Sequence, residues 1–325
     1  LVAALVGYGS TIVLVLSAAA AVGATAPQTA SWVFAICIAK AIGSALLSTS
    51  HRIPVVLAWS TPGAALIAAS TGVSMPEAVA AFVLAGVLVM LTGAVRPLGR
   101  AVAMIPDGVA AGMLGGVLLP FCLKGTAAAQ ALPALIFPMV AVFLLVRLKN
   151  PALAVLAALA TGLILAFVSG VAHLPVLRLP LPTLTFILPV FRVDVLLGLG
   201  VPLYLVTMAS QNLPGFATLR AAGYEPPVRA ALTVTGGLSA VSALFGAHTI
   251  SMAAITAAIC MGPEAHEDSK QRYKAAAFAG VGYLIAGVFG ASIVTLFAIL
   301  PGALIMGVAG IALFGTIGAS LHAAL

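Results

Sequence analysis

Residues 52–70, RIPVVLAWSTPGAALIAAS, are apolar enough to lie in a membrane, yet they cannot form one unbroken helix. Pro54, Val55, Val56 and Leu57 favour an extended chain, and Pro62 pushes the residues before it away from helical geometry. Ser60 or Thr61 supplies an N-cap, Pro62 suits the first helical position, and Gly63 lets another group approach the backbone. The stretch is therefore expected to be half strand and half helix, with a helix N-terminus near the middle of the membrane. Irregular backbone at that depth is tolerated only where it is buried in protein or lines a cavity. A helix N-terminus also presents N–H groups and a partial positive charge, which favour an anion.

Residues 245–261, FGAHTISMAAITAAICM, repeat the pattern. Gly246 and a β-leaning His248–Thr249–Ile250 precede Ser251, and a helical Met252–Cys260 is expected to follow. Ser60 and Ser251 lie 191 residues apart. Paired broken segments at matching positions of two halves point to the binding site of a transporter.

Composition agrees with a polytopic membrane protein: 63% of the 325 residues are hydrophobic, 6% are charged, and the mean hydropathy is +1.25. Apolar segments of spanning length are expected at residues 1–22, 27–50, 52–70, 77–95, 106–123, 132–148, 151–172, 194–213, 228–245, 246–261, 275–300 and 301–323. Leu174–Arg192 forms a long connection rich in proline and leucine. Ten of the fourteen basic residues fall in alternate loops, which places that side and the N-terminus in the cytoplasm. The net charge of +7 therefore reflects short basic loops rather than nucleic-acid binding. Cys37, Cys122 and Cys260 are odd in number and lack metal spacing, so buried free thiols are expected.

The repeat extends further. Pro106-Asp-Gly-Val-Ala-Ala-Gly and Pro301-Gly-Ala-Leu-Ile-Met-Gly open two segments 195 residues apart. Segments one to seven thus form one unit, and the eighth opens a second. Seven is odd, so the second copy must run inverted across the membrane. It stops after five members. The expected architecture is all-α and polytopic, with inverted seven-span repeats, two half-strand, half-helix segments, and twelve spans of an expected fourteen. A start at Leu1 and the missing last two spans suggest a trimmed chain.

Polar groups in such segments are expensive and usually face a cavity or a partner helix. Ser210, Gln211 and Asn212 cluster at the end of the eighth segment, either as donors to a substrate carboxylate or at a helix end before Pro214. His248 is a candidate proton carrier or a neutral histidine bonded to backbone. Asp107 is a second candidate proton site or a helix cap. Lys40 lies too deep to snorkel and could attract an anion or serve structure alone. Tyr8 and Trp59 are candidates to stack on an aromatic substrate. Glu264–Asp268 reads as a solvated loop whose acids could pair with Lys270, Arg272 and Lys274. No P-loop supports ATP-driven transport, and no metal or nucleophile–base constellation supports an enzyme.

AWSTPGAAL (58–66), VTMASQNLPG (206–215), LRAAGYEPP (219–227) and AAITAAICMGPEAHED (253–268) resemble the BenE-type benzoate/proton symporters. The resemblance covers nearly the whole chain and implies the uracil-permease-like fold, with a core and a gate domain. Residues 1–95 and 194–300 would form the core. Residues 96–193 and 301–325 would form the gate, whose remainder is absent. It implies benzoate as substrate, imported with a proton across a bacterial inner membrane, no cofactor, and pairing as a homodimer. Related nucleobase permeases place carboxylates where this chain holds Ser210–Gln211 and His248, and their absence suits an anion.

The site expected from these readings comprises Tyr8, Trp59, Ser60, Thr61, Gly63, Ser210, Gln211, Asn212, His248, Thr249, Ile250 and Ser251, with His248 and Asp107 for the proton. The function expected is secondary active, elevator-type import of an aromatic carboxylate. A nucleobase/proton symporter of the same fold and an anion channel are the alternatives.

Overall fold

The computed structural model describes residues 4, 8, 11–95, 97, 107–172 and 183–324. Its helices, in chain order, are α1 (Ile12–Ala21), α2 (Ala26–His51), α3 (Thr61–Ala69), α4 (Met75–Ala94), α5 (Asp107–Ala131), α6 (Pro133–Lys149) and α7 (Pro151–Val168). The second half supplies α8 (Val193–Ala221), α9 (Val228–Ala243), α10 (Ile255–Met261), α11 (Tyr273–Val288), α12 (Gly290–Ala298) and α13 (Gly302–Ala324). Two short strands, β1 (Leu57–Trp59) and β2 (Ile250–Met252), precede α3 and α10.

Among the described residues, α2, α4 and α8 are long and apolar enough to cross a membrane. Residues 269–288 and 290–296 together make a fourth candidate, bent by 51°. The chain is a membrane protein: Phe137, Leu145 and Leu148 on α6 and Phe278 and Ile285 on α11 are exposed large apolar groups, as lipid-facing helices require. Inside lie Trp32, Trp59, Phe82, Tyr283 and, unusually, Lys40, all fully buried.

Helix starts follow their local chemistry. The Thr25 side chain accepts from the Gln28 N–H while Gln28 returns a bond to the Thr25 N–H, and Ser74 and Glu77 form the same reciprocal cap for α4. The eighth segment departs from expectation. Rather than ending before Pro214, α8 continues to Ala221. Wider π-turns at Leu196–Gly200 and Met208–Asn212 immediately precede the segments carrying Pro202 and Pro214. A looser turn relieves the clash between a proline ring and the carbonyl one turn back. The described part of the long connection, residues 183–192, has no helix or strand. Its Ile187 and Val190 N–H groups donate to Leu244 O and Pro76 O. Arg192 closes it with ion pairs to Glu77 at 3.0 Å and Asp194, and these carboxylates, Asp194 foremost, raise the guanidinium pKa.

Packing pairs elements reciprocally. α4 packs on α9 while α2 packs on α11, α5 packs on α13, and β1 pairs with β2. The antiparallel register joins Leu57 to Met252, Ala58 to Ser251 and Trp59 to Ile250. This corrects one expectation. The second broken stretch stays extended through Met252, and its helix begins at Ile255 behind Ala254 rather than behind Ser251. Pairing explains the delay, because the Ala253 N–H donates to Val56 O and so remains in the ladder.

The register is testable. Leu57 and Met252 face each other without exchanging backbone hydrogen bonds, the closer of the two antiparallel pairings. In a chain with its three native cysteines replaced, Leu57→Cys with Met252→Cys should form an intramolecular disulfide under a membrane-permeant oxidant. Leu57→Cys with Ile250→Cys, out of register, should not.

Candidate functional site

The two broken segments meet, and their junction is polar and buried. Ser60 N-caps α3: its hydroxyl accepts from the Gly63 N–H at 3.1 Å, a cap whose loss costs about 1 kcal/mol. Its N–H donates to Thr249 O at 2.9 Å. Thr207, from α8, donates to Ser60 Oγ at 2.9 Å and meets Thr249 Oγ1 at 2.9 Å. With one proton on each hydroxyl, Thr249 is then the donor to Thr207. One side chain of α8 thus ties both breaks together, and Ser60, Thr207 and Thr249 are all fully buried.

His248 locks the same junction. Its Nδ1 accepts from Trp32 Nε1–H at 3.0 Å, and its Nε2 faces Ser60 O at 3.1 Å. A carbonyl only accepts and an indole only donates, so the bonds specify the neutral Nε2–H tautomer. Of the two readings of His248, the bonding matches a neutral histidine tied to backbone. A proton on Nδ1 would oppose the indole N–H.

Backbone approaches explain two glycines. A Cβ on Gly63 would lie 2.6 Å from Leu203 Cδ1, and one on Gly215 would lie 2.4 Å from Met252 Cβ. Both contacts bring α8 against the breaks. Asn212 completes that side, its Oδ1 accepting from the Met252 N–H at 3.0 Å. Ser210 Oγ is buried with no hydrogen-bond partner among the described residues. Gln211 and Thr61 are half-buried. Ser251 is fully buried, its hydroxyl 3.5 Å from Ala58 O. Ile250, also buried, donates its N–H to Ser239 Oγ at 2.8 Å.

On the Trp59 side the surroundings become aromatic. Tyr8 meets Trp59 edge to face, with centroids 5.5 Å apart, and Trp59 Nε1–H donates to Thr11 Oγ1 at 2.8 Å. Lys40 Nζ sits 3.9 Å from the Trp59 ring centroid and 3.6 Å from that of Tyr283.

Of the residues expected in the site, the structure gathers Tyr8, Trp59, Ser60, Gly63, Asn212, His248, Thr249, Ile250 and Ser251 around the strand pair. Asp107 opens α5, but its side chain lies outside the described residues, as does that of Cys122; Cys37 and Cys260 are buried and free. The acidic loop is corrected. Arg272 grips the carbonyls of Met261, His266 and Glu267, rather than the loop's carboxylates. Those carbonyls end α10 and the turn behind it, where a guanidinium fork supplies donors the backbone lacks. Sequence reasoning passed over Thr207, Trp32, Ser239 and Tyr283, which look like ordinary residues of apolar helices. A groove of about 610 Å³ beside His51, Pro227 and Arg229 contains none of the junction residues.

Thr207→Val should lower the melting temperature of the detergent-purified protein, because it leaves the buried Ser60 and Thr249 hydroxyls short of a partner at about 1–3 kcal/mol. Thr207→Ser should restore most of the loss. A valine variant as stable as the parent would contradict the bridging role.

The comparisons with known proteins agree with this frame. Residues 1–325 match the family described as benzoate membrane transport protein. The chain is 41% identical, over 99% of its length and 83% of the relative's, to inner membrane protein YdcO of Escherichia coli (strain K12). It is 35% identical to a benzoate membrane transport protein of Acinetobacter baylyi (strain ATCC 33305 / BD413 / ADP1), over 99% of the chain and 82% of that protein. The transmembrane domain of a cyanobacterium bicarbonate transporter, BicA, shares the fold with a TM-score of 0.61 at 19% identity, covering 100% of this chain and 96% of that one. With a family match along its full length and a relative 35% identical to it, the chain belongs to the benzoate membrane transport protein family, and is a membrane transporter rather than an enzyme.

Proposed function

We propose that the chain imports benzoate, or a similar aromatic carboxylate, by proton-coupled secondary active transport across a bacterial inner membrane, with its N-terminus in the cytoplasm. The observation that carries this reading is the meeting of two broken segments from opposite halves of the sequence in one buried strand pair. Broken segments of this kind hold substrate at the membrane midplane. The family and the named benzoate transporter of Acinetobacter supply the substrate class.

The reciprocal packing of α4 on α9 and α2 on α11 is what two repeats related by a two-fold axis produce. It favours inverted seven-span repeats, with twelve spans present here, a core of residues 1–95 and 194–300, and a gate of residues 96–193 and 301–325. In this reading the core moves against the gate as an elevator, carrying the strand pair with it. Trp59, Tyr8 and Ile250 line the ring side. Ser210, Gln211 and Asn212 face the guest from α8, with Ser60, Thr61, Gly63, Thr249 and Ser251 at the breaks. His248 and Asp107 are its candidate proton carriers. His248 can take a proton only once the Trp32 bond is released, which favours Asp107.

Initial uptake of radiolabelled benzoate into proteoliposomes tests the reading. Protein-free vesicles are needed as the reference, because neutral benzoic acid crosses lipid unaided. A saturable component that accelerates under an inward proton gradient is expected. Saturable uptake indifferent to the gradient would remove the coupling, and competition by uracil but not by benzoate analogues would favour the nucleobase alternative.

A further inference from the structure

Most polar groups at the strand junction already satisfy one another, but one ionisable group beside it does not. Lys40 sits near the middle of α2 and is only 1% exposed. At 1.5 Å per residue the nearer helix end is roughly 17 Å away, beyond the reach of a lysine stem. Among the described residues its ammonium has neither a carboxylate nor a hydrogen-bond acceptor. Among the described residues both ion pairs belong to Arg192, and the groups recorded on Lys40 Nζ are the ring faces of Trp59 and Tyr283. Aromatic faces attract a cation but supply no counter-charge, and a buried charge without one is strongly disfavoured.

Three buried hydroxyls accompany the same rings. Tyr8 Oη is buried without a hydrogen-bond partner in the described structure, and the buried Thr256 Oγ1 and Tyr283 Oη face each other without reaching hydrogen-bond geometry. Tyr8 touches Trp59, Tyr283 touches Lys40, and Thr256 lies in the first turn of α10, directly behind β2. The other titratable groups facing this cluster are Cys37 on α2, Cys260 on α10 and His248 at the break. None is an anion that would compensate Lys40.

We propose that Lys40 is the counter-ion of the transported carboxylate, with the Tyr8, Thr256 and Tyr283 hydroxyls as its neutral donors. The inference rests on the aromatic-carboxylate reading above and deepens it. A carboxylate is acceptor-only, with room for about four bonds, and one ammonium and three hydroxyls match that need. Specificity for an anion over a neutral isostere then comes from Lys40 rather than from the α3 N-terminus, whose cap is already filled by Ser60.

Binding of radiolabelled benzoate and of benzamide, the same ring without the charge, to the purified full chain in nanodiscs tests this. Lys40→Met should weaken benzoate about 100-fold, in the range for stripping a buried charge of its partner, while changing benzamide little. Lys40→Arg should recover part of the benzoate affinity. Tyr283→Phe with Thr256→Val should weaken benzoate about 5- to 10-fold with little change in melting temperature, because both members of the facing hydroxyl pair are removed together and neither is left stranded. Benzoate bound by Lys40→Met as by the parent overturns the proposal. If Lys40→Met does not fold, unaltered benzoate affinity in the Tyr283/Thr256 variant overturns it instead. A parent chain that binds no benzoate fails the transport reading itself, separately from Lys40.

Discussion

The fold hinges on a short antiparallel ladder between two segments that cannot be helical throughout. Unpaired backbone is not tolerated within a bilayer, so each broken stretch needs the other. β1 and β2 supply the partner, and the ladder extends one pair beyond each end through Val56–Ala253 and Ser60–Thr249. Side chains satisfy groups the ladder leaves over. Ser44 accepts from the Leu57 N–H, Ser239 from that of Ile250, and Asn212 from that of Met252. The same hydrogen bonds bring α2, α8 and α9 against the breaks. A requirement for backbone satisfaction thereby gathers helices from both halves of the chain around one point.

That economy shapes the chemistry. The groups most suggestive in the sequence, the Ser60 hydroxyl at a helix tip and His248 at a break, are engaged in holding the junction. Among the described residues, groups left with bonding capacity lie elsewhere: Lys40 on two aromatic faces, the Tyr8, Thr256 and Tyr283 hydroxyls, and, on α8, Ser210. A transporter of an aromatic anion needs both kinds. In the proposed transport cycle the first keeps the irregular backbone intact, and the second exchanges partners with the guest. Trp59 belongs to both, since it forms part of the strand and is the ring beneath Lys40.

Much of the frame was legible before any coordinates. Pro62 behind Ser60 fixed a cap and a helix start, and spacing between like motifs matched the two broken stretches and the pair that became α5 and α13. The resemblance carried by residues 58–66, 206–215 and 253–268 named the family now shown. Other features were hidden because their cause is tertiary. Nothing local to SMAA announces that it extends a ladder, so the start of α10 was placed too early. Pro214 looked like a terminator because the π-turn that absorbs it leaves no strong sequence mark. Thr207 is one threonine among many until α8 is laid across both breaks, and Lys40 seemed an isolated charge until Trp59 and Tyr283 closed over it. Arg272 looked like a partner for acids, whereas a helix end with unpaired carbonyls held it more firmly.

The most direct test of the account is to locate the guest itself. Crystals or vitrified particles of the full chain with 4-bromobenzoate would report the heavy atom independently of any interpretation of side chains. The account predicts bromine against the apolar rings around Trp59, with its carboxylate toward Lys40 and beside the β1–β2 pair. A single well-occupied bromine elsewhere, such as the groove by His51 and Arg229, would contradict it.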